Sequence, residues 1–149
     1  MPQALTNLRV LDLTRVLVGP YATMVLADLG ADVVKIELPG VGDDSRAYPP
    51  YMAGESAYFM SLNRNKRSLT LDLKNARGKA LLLELAARAD VLVENFRPGA
   101  MERLGLGYER LRQENPRLIY AAASGCGQTG PYRERPAYDA VVQAMGGIM

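Results

Sequence analysis

Short apolar runs alternate along the chain with longer stretches in which apolar residues recur at helical spacing. Apolar runs rich in branched residues predict strands, and their ranges are 8–14, 32–37, 68–73, 90–94 and 118–123. The helical spacing predicts helices over 20–29, over 76–89, once or twice within 99–114, and over 138–145. Strands that alternate with helices indicate an α/β fold with a parallel sheet.

The first predicted helix begins at Pro20 and ends before Gly30, positions where these two residues are favoured. The resulting β-α-β unit superficially resembles a dinucleotide site, because Glu37 ends its second strand. However, the turn RVLVGPYAT contains a single glycine, and neither G-x-G-x-x-G nor G-x-x-x-x-G-K-[ST] occurs in the chain. The sequence therefore disfavours NAD and nucleoside triphosphates as ligands.

Composition narrows the chemistry further. The 149 residues include 18 Lys and Arg against 16 Asp and Glu, a net charge of +2, which gives no argument for nucleic-acid binding. There is no histidine and one cysteine, Cys126, so a Cys/His metal site and an internal disulfide are not expected. The N-terminus lacks a signal-peptide pattern and the apolar runs are too short to span a membrane, so we expect a cytoplasmic protein.

Basic residues lie near predicted strand ends, where ligands bind in open α/β sheets. One group is Arg64, Lys66 and Arg67, with Lys74 further along. The other is the segment 95–99 (NFRPG), which directly follows a strand and precedes Arg103 by one helical turn. Arginine and lysine are usual partners of phosphates, and Phe96 offers an aromatic face for a purine. The alternative is that these are solvated surface charges, and the spacing alone leaves both interpretations open.

Several motifs in order along the chain resemble the family III CoA-transferases, the group of formyl-CoA and carnitine CoA-transferases and α-methylacyl-CoA racemases. They are LRVLDLT (8–14), GPYAT (19–23), LGADVVKIE (29–37), GDDSR (42–46), NKRSLTLDLK (65–74), DVLVENFRPG (90–99), SGCGQTGPY (124–132) and AYDAVVQAMGG (137–147). VENFRPG and NKRSLTLDLK are the most specific. The resemblance implies a Rossmann-like open parallel sheet with flanking helices, of which residues 1–149 form the N-terminal, CoA-binding part of the large domain.

The resemblance also implies a set of coenzyme A contacts. They are Val16, Arg46, Leu71, Lys74, Asn95, Phe96, Arg97, Ala100 and Arg103. Acyl-CoA and a small carboxylic acid would be substrates, with no permanently bound cofactor, and the full-length protein would form an interlocked homodimer. Leu17, Leu38 and Tyr48 depart from formyl-CoA transferase, which has Gln, Arg and Trp there, so oxalate or formate specificity does not follow.

In the family an aspartate attacks the thioester, forming an acyl anhydride and then an enzyme thioester. By the family pattern we expect this nucleophile beyond Met149, so that residues 1–149 alone would be inactive. Asp139 is the alternative, although an acidic residue in a first helical turn is also stabilising electrostatically. Tyr138 is expected near the site, at the position where the racemases have histidine. Cys126 is interpreted as a packing residue and not as a nucleophile. A CoA-transferase, an α-methylacyl-CoA racemase and a non-catalytic CoA-binding fragment remain the competing hypotheses.

Overall fold

The computed structural model describes residues 3–149. The strands are β1 (Arg9–Asp12), β2 (Asp32–Glu37), β3 (Tyr51–Met52), β4 (Glu55–Ser56), β5 (Lys66–Thr70), β6 (Val91–Glu94) and β7 (Ile119–Ala122). The α-helices are α1 (Val18–Asp28), α2 (Ala57–Asn63), α3 (Ala76–Ala86), α4 (Ala100–Arg103), α5 (Tyr108–Glu114) and α6 (Asp139–Met145), and a 3₁₀ helix covers Asp44–Ala47.

Five strands form one parallel sheet in the order β5-β2-β1-β6-β7. β1 pairs with β2 on one side, aligning Arg9 with Asp32, and with β6 on the other, aligning Val10 with Val91. Strand order therefore runs in opposite directions from β1, which makes the gap between the ends of β1 and β6 the topological switch point of the sheet. The predicted α/β fold with an open parallel sheet is confirmed.

Both faces of the three central strands are buried, as expected for parallel strands, whereas β5 and β7 are exposed or half-buried. Alternate residues of β1 and β6 point to opposite faces: Val10 and Val91 join a core cluster with Ala27 of α1. Leu11 and Leu92 instead join a larger cluster, which includes residues of α3 and α5. The helices thus cover the sheet from two sides, and β5 and β7 form its edges.

The predicted elements match the structure most closely at β2, whose bounds are as predicted, and at α3 and β6. The strand predicted over 68–73 instead covers Lys66–Thr70. No element was predicted between residues 38 and 67, where the structure has the 3₁₀ helix, the short β3–β4 hairpin and α2. α1 begins at Val18, with Gly19 packed so tightly on Thr14 that a Cβ there would overlap its side chain.

A candidate nucleotide site at the carboxyl edge of the sheet

A largely apolar cavity of about 140 Å³ lies at the carboxyl edge of the sheet. Its lining comes from the ends of β1, β2 and β5 and from the segment after β6. The lining residues are Leu13, Arg15, Ile36, Glu37, Leu38, Leu71, Asp72, Leu73, Lys74, Phe96, Ala100 and Leu104. The position agrees with the rule that open α/β sheets bind ligands beyond the carboxyl ends of their strands.

Asn95 joins the two segments that flank the switch point. Its Oδ1 accepts from Arg15 N at 2.8 Å, and its Nδ2 donates to Arg15 O at 2.8 Å. The Arg15 guanidinium lies 5.5 Å from the centre of the Phe96 ring. The side chains of Arg15 and Phe96 therefore contribute a cation and an aromatic face to the same cavity.

Four of the nine predicted CoA contacts line this cavity: Leu71, Lys74, Phe96 and Ala100. Asn95 is adjacent through its two bonds to Arg15, and Val16 follows Arg15 directly. Arg97 precedes α4 and Arg103 is its last residue; both are exposed, without an ion pair among the described residues. The structure thus brings most of the predicted set to one edge of the sheet.

Arg46 is positioned differently from the other predicted contacts. Its Nε and Nη2 donate to Glu37 Oε2 and Oε1 at 2.7 and 2.8 Å, and its guanidinium lies 3.7 Å from the centre of the Phe59 ring. Glu37 itself lines the cavity and also accepts from Ser68 Oγ at 2.7 Å. Arg46 therefore neutralises a carboxylate beneath the cavity, although it does not line the cavity itself.

The other basic group of the sequence is engaged in ion pairs. Arg64 pairs with Asp28 at 2.5 Å and Arg67 with Asp32 at 2.6 Å, both exposed. Lys66 Nζ lies 2.9 Å from Asp12 Oδ2, with both side chains buried. Of the two interpretations left open by the spacing, Arg64 and Arg67 fit that of solvated surface charges, each with a carboxylate partner. The buried Lys66 fits neither interpretation, because it forms an ion pair with Asp12 inside the protein.

A buried polar cluster underlies the β1 side of the cavity. Asp12 accepts from Thr23 Oγ1 at 2.6 Å and also from the Thr14 side chain, in addition to its ion pair with Lys66. Burial lowers the pKa of Lys66, and the Asp12 carboxylate opposes that effect. Burial would raise the pKa of Glu37, but the bonds from Arg46 and Ser68 hold it below its usual value.

Glu94 occupies the other side of the switch point without a cationic partner among the described residues. Its Oε2 accepts from Phe96 N at 2.7 Å and its Oε1 from Tyr120 Oη at 3.1 Å. Burial raises the pKa of Glu94 despite these two bonds. Burial, with the nearby Glu94 charge, also raises the pKa of Tyr120 far above its usual value. Glu94 thereby fixes the start of the segment that carries Asn95 and Phe96.

The chain's C-terminal segment holds the remaining candidates. Tyr138 is 78% exposed, and Asp139 is the first residue of α6, where it accepts from Gln143 Nε2 at 2.6 Å. Cys126 is half-buried and unpaired. Within residues 3–149, no group of three or more His, Cys, Asp and Glu side chains could hold a metal ion. No helix in the same range is both long and apolar enough to cross a membrane.

Arg15, which lines the cavity, was not among the predicted contacts. The signal that pointed to Asn95, a polar residue directly beyond a strand end, applies equally to Arg15, which follows Thr14. Leu13, Ile36 and Leu104 were also missed, because buried apolar residues of a core and of a cavity wall have the same sequence pattern.

Known proteins resemble this chain over nearly its whole length. Residues 5–149 match the sequence model of CoA-transferase family III. The chain belongs to that family. Among its relatives, the acetyl-CoA:oxalate CoA-transferase of Acetobacter aceti is 58% identical over 143 residues, covering 96% of this chain and 37% of that protein. The human succinyl-CoA:glutarate CoA-transferase is 50% identical over 146 residues, covering 97% of this chain and 33% of that protein.

The fold of the chain also matches that of a solved structure. A CAIB/BAIF family protein from Brucella suis superposes with a TM-score of 0.95 at 46% identity, covering all of this chain and 40% of that one. The predicted family resemblance is thus confirmed. This family III chain spans about a third to two fifths of the length of the relatives that it matches.

Proposed function

We propose that residues 3–149 form the nucleotide-binding part of an enzyme that transfers coenzyme A between an acyl-CoA and a carboxylic acid. The observation that carries the proposal is the apolar cavity at the switch point, with Phe96, Arg15 and Lys74 in its lining. An apolar slot of this size suits a purine base, for which the Phe96 ring supplies a flat contact surface. The family membership of the chain supports transfer of CoA as the reaction.

The phosphates of CoA would be bound by the cations that surround this cavity. Lys74 lines it, and Arg97 and Arg103 are exposed on and beside α4. Arginine and lysine without protein carboxylate partners retain their capacity for charge-assisted bonds to phosphate oxygens. Arg46 would act through Glu37 instead, since its guanidinium is already bonded there.

The proposed chemistry uses an aspartate carboxylate C-terminal to Met149 as nucleophile. Its oxygen attacks the thioester carbonyl, the C–S bond breaks, and CoA leaves as the thiolate with an aspartyl–acyl anhydride formed. The thiolate then attacks the aspartyl carbonyl, which releases the donor acid and leaves an aspartyl-CoA thioester. The acceptor carboxylate reacts with this thioester in the same two steps, so that the aspartate is regenerated. The residues described here would hold CoA in place throughout.

Dicarboxylic acids are the proposed acceptors, because the relatives are named for oxalate and glutarate. Racemisation at the α-carbon is less well supported, since it needs an acid/base pair. This chain has no histidine, and Tyr138 stands where the racemases have one. A phenol hydroxyl is a poorer general base at neutral pH than the imidazole that stands there in the racemases.

The test of CoA binding compares coenzyme A with pantetheine, which lacks the nucleotide, by calorimetry on the full-length protein. We expect CoA to bind at least about tenfold more tightly, a difference of about 1.4 kcal/mol. Arg103→Glu should weaken CoA binding, whereas Arg112→Glu, a matched charge reversal on exposed α5, should not. Equal affinities for CoA and pantetheine would refute the proposed nucleotide site.

The reaction itself is tested by incubating the full-length protein with an acyl-CoA and a panel of carboxylic acids that includes oxalate, succinate and glutarate. Transfer to at least one acid, without deuterium wash-in at the α-carbon of a 2-methylacyl-CoA, is the expected result. Wash-in without transfer would identify a racemase. Residues 1–149 expressed alone should catalyse no transfer. If they do catalyse transfer, and Asp139→Ala abolishes it, the nucleophile is Asp139.

A further inference from the structure

The turn that follows β1, residues Thr14–Val16, has an unusual set of partners. Its four successive backbone polar atoms, Thr14 O, Arg15 N, Arg15 O and Val16 N, are all bonded to side chains from other segments of the chain. Asn95 bonds both the N–H and the C=O of the central residue at 2.8 Å. Such polar side chains substitute for the strand neighbours that a turn lacks, because buried peptide groups need partners.

Lys35 and Asp43 bond the two outer backbone atoms of this turn. Lys35 Nζ donates to Thr14 O at 2.8 Å, and Asp43 Oδ1 accepts from Val16 N at 3.1 Å. The two side chains form an ion pair of 2.8 Å between Nζ and Oδ2, and each is 2% exposed or less. Together they form hydrogen bonds to the residues on both sides of Arg15.

The backbone of the turn needs this support. Val16 has φ of 68°, in the left-handed region that a β-branched residue strongly disfavours. Such a conformation persists only where the surroundings determine it. Burial would raise the pKa of Asp43, but the Lys35 ammonium and two bonds from Ser45 keep it low, so the carboxylate stays ionised as an acceptor.

We infer that Asp43, together with Lys35, is a positioning residue for the nucleotide site: it holds Val16 in the left-handed conformation and thereby fixes Arg15 against Phe96 in the cavity. The inference rests on the proposed function for its ligand, although the positioning of the turn is a property of the protein alone. Asp43 is not among the residues that line the cavity described above and would act only through the turn.

The experiment is a double-mutant cycle between Asp43→Asn and Val16→Gly in the full-length protein, with the affinity for coenzyme A measured by calorimetry. Glycine adopts the left-handed conformation without strain, so it no longer needs Asp43 to impose that conformation. We expect Asp43→Asn to weaken CoA binding about tenfold in the Val16 protein and less than about threefold in the V16G background. A purely structural role would give equal losses in both backgrounds, and that result would overturn the inference.

Asp32→Asn is the matched control, because it is the same substitution in an exposed ion pair. Asp32 is the first residue of β2, whereas Asp43 lies beyond the last residue of that strand. It should leave CoA affinity unchanged. If Asp43→Asn does not fold, Lys35→Met with Asp43→Leu replaces the buried pair by apolar side chains, which proteins often tolerate. That double variant also removes both bonds to the turn, so the same cycle with V16G applies.

Hydrogen exchange separates this inference from the proposed function. The amides of Arg15 and Val16 should exchange at least about tenfold faster in Asp43→Asn than in the parent protein or Asp32→Asn. If the parent protein binds no CoA, the proposed function fails, and the exchange rates still decide whether Asp43 positions the turn. Unchanged exchange at both amides would overturn the inference whatever the affinity for CoA.

Discussion

The two sides of the switch point neutralise their buried carboxylates in different ways. On the β1–β2–β5 side, three buried carboxylates each have a cation within 2.9 Å: Asp12 with Lys66, Asp43 with Lys35, and Glu37 with Arg46. On the β6–β7 side, the partners of Glu94 within residues 3–149 are the hydroxyl of Tyr120 and the peptide N–H of Phe96, with no cation among them. Both sides support segments that border the same cavity.

The difference predicts opposite responses to pH. The pKa values of Glu37 and Asp43 are lowered, so their contribution to stability is fully present above the unfolded values and is lost as pH falls through the folded values. The pKa of Glu94 is raised, so its contribution is present below the unfolded value and is lost as pH rises through the folded value. Glu37 and Asp43 therefore favour the folded state most at neutral pH, and Glu94 favours it most at acid pH.

The largest expected effect comes from Lys66→Met on the ion-paired side. It leaves Asp12, which is fully buried, without its cation, so the free energy of unfolding should fall by about 3–5 kcal/mol. Urea denaturation of the full-length protein at pH 7 measures the loss. Arg67→Met, at the next residue, is the control. It breaks the exposed ion pair with Asp32 and should lower the free energy of unfolding by less than about 1 kcal/mol. Equal losses would show that burial does not distinguish these pairs.

Glu37→Gln tests the same side with a smaller change. The amide keeps the shape of the side chain but loses the charge that binds Arg46, so we expect a loss of about 2 kcal/mol at pH 7. The loss should shrink as pH falls below about 4.3, the ordinary value for Glu, because Glu37 is then protonated in the unfolded chain and, at still lower pH, in the folded parent. Urea denaturation of both proteins at pH 7 and pH 3 measures this; a loss that is equal at both pH values would contradict the lowered pKa of Glu37.

The sequence predicted the local features of this architecture well. β2 has its predicted bounds because a buried run between Gly30 and Pro39 has clear ends. α2 was missed because seven residues give too little periodicity, although Ser56 caps it by accepting from Phe59 N. The family resemblance located four cavity residues that the local pattern alone would not have separated from the core.

What the sequence did not predict depends on partners far apart in the chain. β5 begins at Lys66 and not at Ser68, because Asp12 and Asp32 neutralise its two basic residues from 54 and 35 positions away. Asp43 caps the 3₁₀ helix, but it is also buried against Lys35, a contact that no local pattern indicates.

The smallest expected effect has the opposite sign and concerns Glu94, on the β6–β7 side. Glu94→Gln mimics the protonated carboxyl, so it should raise the free energy of unfolding at pH 7 by about 1 kcal/mol. Its carbonyl can still accept from Phe96 N, and its amide can donate to Tyr120 Oη. Because the pKa of Glu94 is raised, the gain should appear as pH rises above about 4.3, the ordinary value for Glu.

Urea denaturation at pH 4 and pH 7 measures this gain. Glu84→Gln, the same change at an exposed position of α3, should have no effect at either pH. A loss of stability in Glu94→Gln at pH 7 would mean that the two hydrogen bonds stabilise the carboxylate more than burial destabilises it. In that case Glu94 would behave like Glu37, and the two sides of the switch point would differ in their partners but not in their response to pH.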